Sequence, residues 1–172
     1  MNSRAFSTAD LYDAHGDRCQ SCSTQFRQFG GRKIFSGPIR TVQCRDDNVL
    51  VRRALTSPSE GEVLVVDGGG SLESALMGDL IAELGRQSGW AGVIIFGAVR
   101  DVVALAGMDF GVKALGSNPK KSGKTGTGQI EVEVRFGGAA FSPGRWVYSD
   151  DDGILVGDDY FGAASHSSRQ SM

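Results

Sequence analysis

Residues 62–101 read EVLVVDGGGSLESALMGDLIAELGRQSGWAGVIIFGAVRD. Two apolar runs, 63–66 and 93–96, are short, continuous and rich in Val and Ile. Such runs predict strands buried on both faces. Between them, Leu80, Ile81 and Leu84 follow a helical spacing, which predicts a helix over 79–86 with those three side chains facing inward and Gly89 beyond its end. A short strand is expected over 74–77 and a short helix over 102–106. The stretch therefore reads as a strand–helix–strand unit, with a right-handed crossover if its strands are parallel. That makes the fold class α/β.

Outward from this unit, Ser7 or Thr8 caps an expected helix over 9–15 that Gly16 ends. Residues 19–29 are polar and read as irregular. A strand-like segment over 34–42 contains Gly37-Pro38, and a proline there suggests an edge or a bulge. Asp46 or Asp47 is placed to cap a helix over 48–55. After a strand at 111–115, residues 116–128 (GSNPKKSGKTGTG) form a loop by composition. From Gln129 the pattern alternates, with Ile130, Val132, Val134 and Phe136 between charged residues, which predicts one half-solvated antiparallel strand. Short strands at 139–141, 146–148 and 154–156 follow, joined by Ser-Pro-Gly and Asp-Asp-Asp-Gly turns. One domain is expected over 1–159, with 160–172 as a disordered tail.

The 172 residues suffice to bury a core, and the net charge of −2 leaves no basic footprint for nucleic acid. The 25 glycines exceed the usual share and imply tight turns and close backbone approaches. No apolar run approaches the ~20 residues that span a bilayer. No signal-type segment opens the sequence, so a cytoplasmic location without membrane contact is expected.

Six groups of residues could carry chemistry. Gly78-Asp79 opens a helix whose free N–H groups suit a carboxylate, though Asp79 as a plain cap is the simpler role. Arg100-Asp101 follows a buried strand at the end where open α/β folds bind ligands. A guanidinium there can grip a carboxylate and the aspartate can hold a hard cation; the bland alternative is a surface ion pair. Asp67-Gly68-Gly69-Gly70 has neither a dinucleotide nor a Walker pattern and reads as a tight turn. Cys19-x-x-Cys22 lacks the further ligands zinc needs. Asp150-Asp151-Asp152-Gly153 fits a hairpin turn, and Lys120, Lys121 and Lys124 fit a solvated loop.

The segments GGR (30–32), DN (47–48), VVDGGGS (65–71), GDL (78–80), GAVRD (97–101), GVKALG (111–116), FGG (136–138) and SDDDGILV (149–156) together resemble the family of the regulator of ribonuclease activity A. The resemblance implies a β/β/α sandwich of the swivelling-domain type, assembled as a homotrimer with sites near subunit interfaces. Some members bind and inhibit ribonuclease E. Others are metal-dependent aldolases that cleave 4-hydroxy-4-methyl-2-oxoglutarate into two pyruvates and decarboxylate oxaloacetate through a shared enolate. The aldolase pattern is Asp, twenty residues, then Arg-Asp, matched here by Asp79, Arg100 and Asp101. Carried over, Gly78, Asp79, Leu80 and Ile81 would bind a small α-keto acid through backbone amides. Arg100 would bind its carboxylate and enolate oxygens, and Asp101 would hold a magnesium or manganese ion. A metal-bound water is the candidate for proton transfer, Asp79 would orient such waters or Arg100, and Asn48 is a further pocket residue. The family also carries a menaquinone-pathway methyltransferase label, for which the sequence offers no glycine-rich adenosylmethionine site. The alternative to the aldolase is a catalytically silent ribonuclease E regulator.

Overall fold

A computed structural model describes residues 5–162. In chain order the elements are α1 (Thr8–His15), a 3-10 turn (Gly16–Arg18), β1 (Cys19–Cys22), β2 (Arg27–Gln28), β3 (Phe35–Gln43), α2 (Val49–Thr56), β4 (Val63–Asp67), β5 (Ala75–Met77), α3 (Asp79–Gln87), β6 (Gly92–Val99), α4 (Val102–Ala106), β7 (Gly111–Ser117), β8 (Gln129–Ile130), β9 (Val134–Phe136), β10 (Ala139–Phe141), β11 (Trp146–Asp150) and β12 (Gly153–Gly157). No helix among the described residues is long and apolar enough to cross a membrane.

Strands β3, β4, β6 and β7 run parallel, joined in turn through α2, α3 and α4. Alternation along β4 explains why its sequence is apolar throughout. Leu64 and Val66 pack under the helices with Val51, Leu55, Ile81, Ala82 and Leu105. Val63 and Val65 point the other way, onto Phe136, Phe141, Val147, Ile154 and Val156. The architecture is a β/β/α sandwich, with helices, central sheet and a second β layer in that order.

Ten strands of the two layers form one sheet, ordered β1-β12-β11-β3-β4-β6-β7-β2, with β5 beside β6 and β8 beside β3, and β9 and β10 form a separate two-stranded sheet. Strand β3 belongs to both layers. Its first half pairs antiparallel with β11 up to Pro38, and its second half pairs parallel with β4 from Ile39. Pro38 is thus neither on an edge strand nor in a bulge: it stands at the handover, one residue before the parallel ladder begins. A side chain at Gly37 would collide with the Gly61 carbonyl oxygen. Lys113 of β7, 4 % exposed, closes the curled sheet by donating from Nζ to the carbonyl oxygens of Asp150 and Gly153 at the β11–β12 turn. Burial pushes its pKa below the usual lysine value, against the pull of the Asp150 carboxylate.

Three further expectations are corrected. The alternating run after Gln129 is broken at Glu131, whose φ is 55°. There the chain leaves β3 to form the β9–β10 hairpin, and the Glu131 carboxylate accepts from Arg40 Nε. The polar stretch after Arg18 contains a strand, β1, paired with β12. Cys19 and Cys22, three apart on a strand, fall on opposite faces. Cys19 packs near Leu11, Tyr148 and Leu155, and Cys22 packs with Phe35 and Ile39. Burial raises both thiol pKa values, and the two thiols point to different sides of the strand. Leu80, expected to face inward, is 78 % exposed, and the buried residues of α3 are Ile81, Ala82 and Gly85.

Several local readings hold. Ser7 caps α1, accepting from the Asp10 amide, and Asp150 pairs with Gly153 across the expected hairpin turn. The Asp67–Gly70 turn is structural: Gly68 and Gly70 amides both donate to the Phe96 carbonyl, and the Gly69 amide donates to Asp67 Oδ1. Gly69 and Gly70 have φ of 67° and 74°, a region that favours glycine. Tyr160 and Phe161 pack on Trp146 and Tyr148, so contacts continue into the segment expected as a tail. Residues 163–172 lie outside the described residues.

Candidate active site

Strands β5 and β6 are parallel neighbours, with Met77 beside Val99. Both end at the same level, and the Arg100 amide donates to the Met77 carbonyl at 3.0 Å. From β5 the chain turns at Gly78 into α3. From β6 it turns at Arg100-Asp101 into α4. Two strand-to-helix junctions, far apart in sequence, therefore lie side by side at the carboxyl ends of the strands.

One bond ties them. The Asp79 amide, first in α3, donates to Asp101 Oδ2 at 3.0 Å. Asp101 is itself the N-cap residue of α4, held at φ 59° and ψ 43°, and its carbonyl accepts from the Leu105 amide. Arg100 Nε lies 4.0 Å from the same Oδ2, and Arg100 Nη1 donates to the Pro119 carbonyl at 3.4 Å. A Cβ at position 78 would come within 3.0 Å of Asp101 Oδ2. Glycine at 78 is thus what lets a carboxylate sit over the start of α3. The first turn of α3 presents the Leu80 and Ile81 amides in addition, which have no carbonyl partner within the helix.

The structure brings Gly78, Asp79, Arg100 and Asp101 together. Ile81 contributes its backbone while its side chain enters the core, and Leu80 contributes its backbone while its side chain points to solvent. Asn48 is buried at the start of α2, where its Oδ1 accepts from Lys124 Nζ rather than joining the pair. Lys124 is therefore not simply solvated.

The 118–126 loop is the part of the site that the sequence reading missed. The Asn118 amide donates to the Val99 carbonyl and the Ala75 amide donates to the Lys120 carbonyl, so the loop runs along β5 and β6 and supports Arg100 through Pro119. Its far end is clamped by Asp47, which accepts from Thr125 N and Oγ1, Gly126 N and Val49 N. Burial raises the Asp47 pKa, but these hydrogen bonds outweigh it and hold the carboxyl below its usual value. The available signal was Asp47 itself, an aspartate before a helix with more acceptor capacity than one cap uses.

No group of three or more His, Cys, Asp or Glu gathers around a metal position among the described residues. Asp101 offers one hard oxygen ligand, with Oδ2 engaged and no hydrogen bond to Oδ1 among the described residues. That donor set does not suit structural zinc, but it fits magnesium or manganese, which keep several waters. The Arg100 and Asp101 side chains are 43 % and 41 % exposed, so one chain alone leaves the site open. Exposed Leu80 and Val103 (78 % and 88 %) flank it at the starts of α3 and α4. Two surface grooves of about 460 and 520 Å³ lie elsewhere and include neither Arg100 nor Asp101.

A family model described as RraA-like, Aldolase/RraA, matches residues 8–156. Among solved structures, one described as an S-adenosylmethionine:2-dimethylmenaquinone methyltransferase from Geobacillus kaustophilus is 46 % identical, covers 91 % of this chain and 97 % of its own, and superposes with a TM-score of 0.89. The RNA-processing inhibitor RraA from Thermus thermophilis is 40 % identical over 90 % of this chain and 94 % of its own, with a TM-score of 0.87. Streptomyces coelicolor RraAS2, described as an unusual member of the RNase ES inhibitor family, is 26 % identical over 88 % and 79 %, with a TM-score of 0.72.

Proposed function

The chain belongs to the RraA-like family, and from that membership we propose that it is a metal-dependent aldolase. Its substrate would be 4-hydroxy-4-methyl-2-oxoglutarate, cleaved to two pyruvates, with oxaloacetate decarboxylation as a second activity. The observation that carries this reading is the single bond from the Asp79 amide to Asp101 Oδ2, which joins an anion-seeking helix start, a guanidinium and a hard cation ligand at one point.

Arg100 would grip the keto acid's carboxylate and stabilise charge on the enolate oxygen as the carbon–carbon bond breaks. The Leu80 and Ile81 amides would receive the remaining carboxylate oxygen. Asp79 would orient the Arg100 guanidinium. Asp101 would hold the cation, magnesium or manganese, which supplies Lewis-acid polarisation when bound. The open site calls for a cover, and a homotrimer would provide it by seating a neighbouring copy against Leu80 and Val103.

Coupled detection of pyruvate released from each substrate, with magnesium and then with chelator, tests the reading. Turnover is expected only with metal, and its absence in well-folded protein would sink the enzyme.

A second reading, a regulator that binds ribonuclease E, is favoured by the 40 % identity to the Thermus inhibitor. Purified protein that leaves ribonuclease E activity unchanged would remove it. For the methyltransferase described in the Geobacillus relative, the glycine-rich turn offers little, because its three amides are all donated internally.

A further inference from the structure

We propose that Asn118 is a positioning residue: its side chain fixes the peptide group whose carbonyl holds the Arg100 guanidinium in place for an oxyacid. The proposal rests on the reading of Arg100 given above.

Arg100 is a long side chain, 43 % exposed, and its Nε lies 4.0 Å from Asp101 Oδ2, too far for a hydrogen bond. Among the described residues, the guanidinium makes one hydrogen bond, from Nη1 to the Pro119 carbonyl at 3.4 Å. A carbonyl suits a group that must meet an anion. It orients the guanidinium without neutralising it, whereas a carboxylate would compete with the ligand.

That carbonyl must itself be held. Pro119 O and the Lys120 amide belong to one planar trans peptide, in which C=O and N–H point in opposite directions. Asn118 Oδ1 accepts from the Lys120 amide at 3.0 Å. One end of a rigid group is therefore held by Asn118, and the other end holds Arg100. Asn118 is fastened on two further sides, its backbone amide donating to the Val99 carbonyl at 3.0 Å and its Nδ2 to the Leu72 carbonyl at 2.8 Å. Val99 immediately precedes Arg100, so the backbone from which the arginine springs and the carbonyl that catches its tip share one frame. The residue types fit the task. An asparagine oxygen bonds the backbone two residues on while its nitrogen donates elsewhere, and proline at 119 has no amide to compete for that oxygen.

Nitrogen relaxation at Arg100 Nε–H, assigned by the resonance missing from Arg100→Lys, tests this on the full chain without any ligand. The unsubstituted chain should give an order parameter in the rigid range, and Asn118→Ala should drop it below about 0.6. Asn118→Ser should recover part of the loss, because its hydroxyl can accept from the Lys120 amide in the equivalent turn although it carries no carboxamide nitrogen. An Arg100 already flexible in the unsubstituted chain, or equally ordered in natively folded Asn118→Ala, overturns the proposal. No recovery in Asn118→Ser overturns it as well, by assigning the effect to the Leu72 bond. In metal-dependent pyruvate release from oxaloacetate, kcat/KM should fall about 10²-fold in Asn118→Ala, the cost of misplacing a reacting contact by about 1 Å. It should fall less in Asn118→Ser, and an undiminished kcat/KM in Asn118→Ala overturns the proposal.

The two readings fail separately. No turnover by the unsubstituted chain, with Arg100 freed by Asn118→Ala, removes the enzyme and keeps the positioning. Metal-dependent turnover, with Arg100 equally ordered in Asn118→Ala, removes the positioning and keeps the enzyme.

Discussion

Replacing Gly78 with alanine puts one methyl group where Asp101 Oδ2 now lies. The added Cβ would fall under 3.0 Å from that oxygen, a separation real Cβ atoms essentially never show, with Arg100 Cγ and Nε also near at 3.2 and 3.4 Å. Backbone strain adds nothing, because Gly78 has an extended φ of −123°. The carboxylate must retreat by about 1 Å, which breaks its bond to the Asp79 amide and shifts it from both Arg100 and any cation. A misplacement of that size costs on the order of 10²-fold in rate. The folding cost is small by comparison, about 1 kcal/mol, because a single bond in a half-exposed place is lost and water can replace it. The assay is metal-dependent pyruvate release at saturating magnesium, beside urea denaturation of the same protein. A Gly78→Ala enzyme within threefold of the original kcat/KM would refute the reasoning. So would a loss of several kcal/mol in stability, since the glycine would then serve packing rather than the site.

Three other perturbations separate the site from its scaffold. Asp47→Asn should lower the urea midpoint at pH 6. Because the folded pKa of Asp47 is depressed below 3.8, its contribution is present above that value and fades as pH falls through the folded pKa. The gap between variant and original should therefore shrink at pH 3, and a gap independent of pH would contradict the clamp. Burial, followed by Asp47, Asp67 and Asp46, pushes the Cys44 thiol up to about 12. Mass spectrometry after iodoacetamide treatment at pH 8 should find it unmodified until urea unfolds the chain; alkylation of folded protein would overturn that. Leu55→Ala should cost about 2–5 kcal/mol by denaturation, because this fully buried side chain packs against α3 and cannot be replaced by water.

The sequence made the central sheet legible because β4 and β6 are buried on both faces, and only strands in that position stay apolar at every residue. The Asp79 and Arg100-Asp101 junctions were legible as well, since helix starts and strand ends are marked by residue type. The inward face of α3 was legible only in part, because Ile81 is buried as read but Leu80 is not. Hydrophobicity pointed to Leu80, but the helix approaches through Gly85, where an added Cβ would lie 3.1 Å from Leu55 and 3.2 Å from Phe110. A close approach made by a missing side chain leaves no apolar signal. Strand β1 was hidden for a related reason. Its sequence CQSC has no strand pattern of its own, and only its pairing with residues 154–157 makes it a strand. The role of the 118–126 loop depends on backbone carbonyls such as that of Pro119, which every residue type carries alike.

The pairing of β1 with β12 also sets a timetable. Helix α1 is held by Thr8, whose amide and hydroxyl both donate to Asp150, 142 residues further on. At synthesis rates of roughly 5–20 residues per second, those early residues wait on the order of ten seconds for their partners to emerge. During that interval Leu11 lacks Tyr148 and Leu155, the core residues it packs with, while β3, β4, β6 and β7 can assemble in order behind it. Helix α1 and strand β1 are therefore among the last parts of the described fold to find their place.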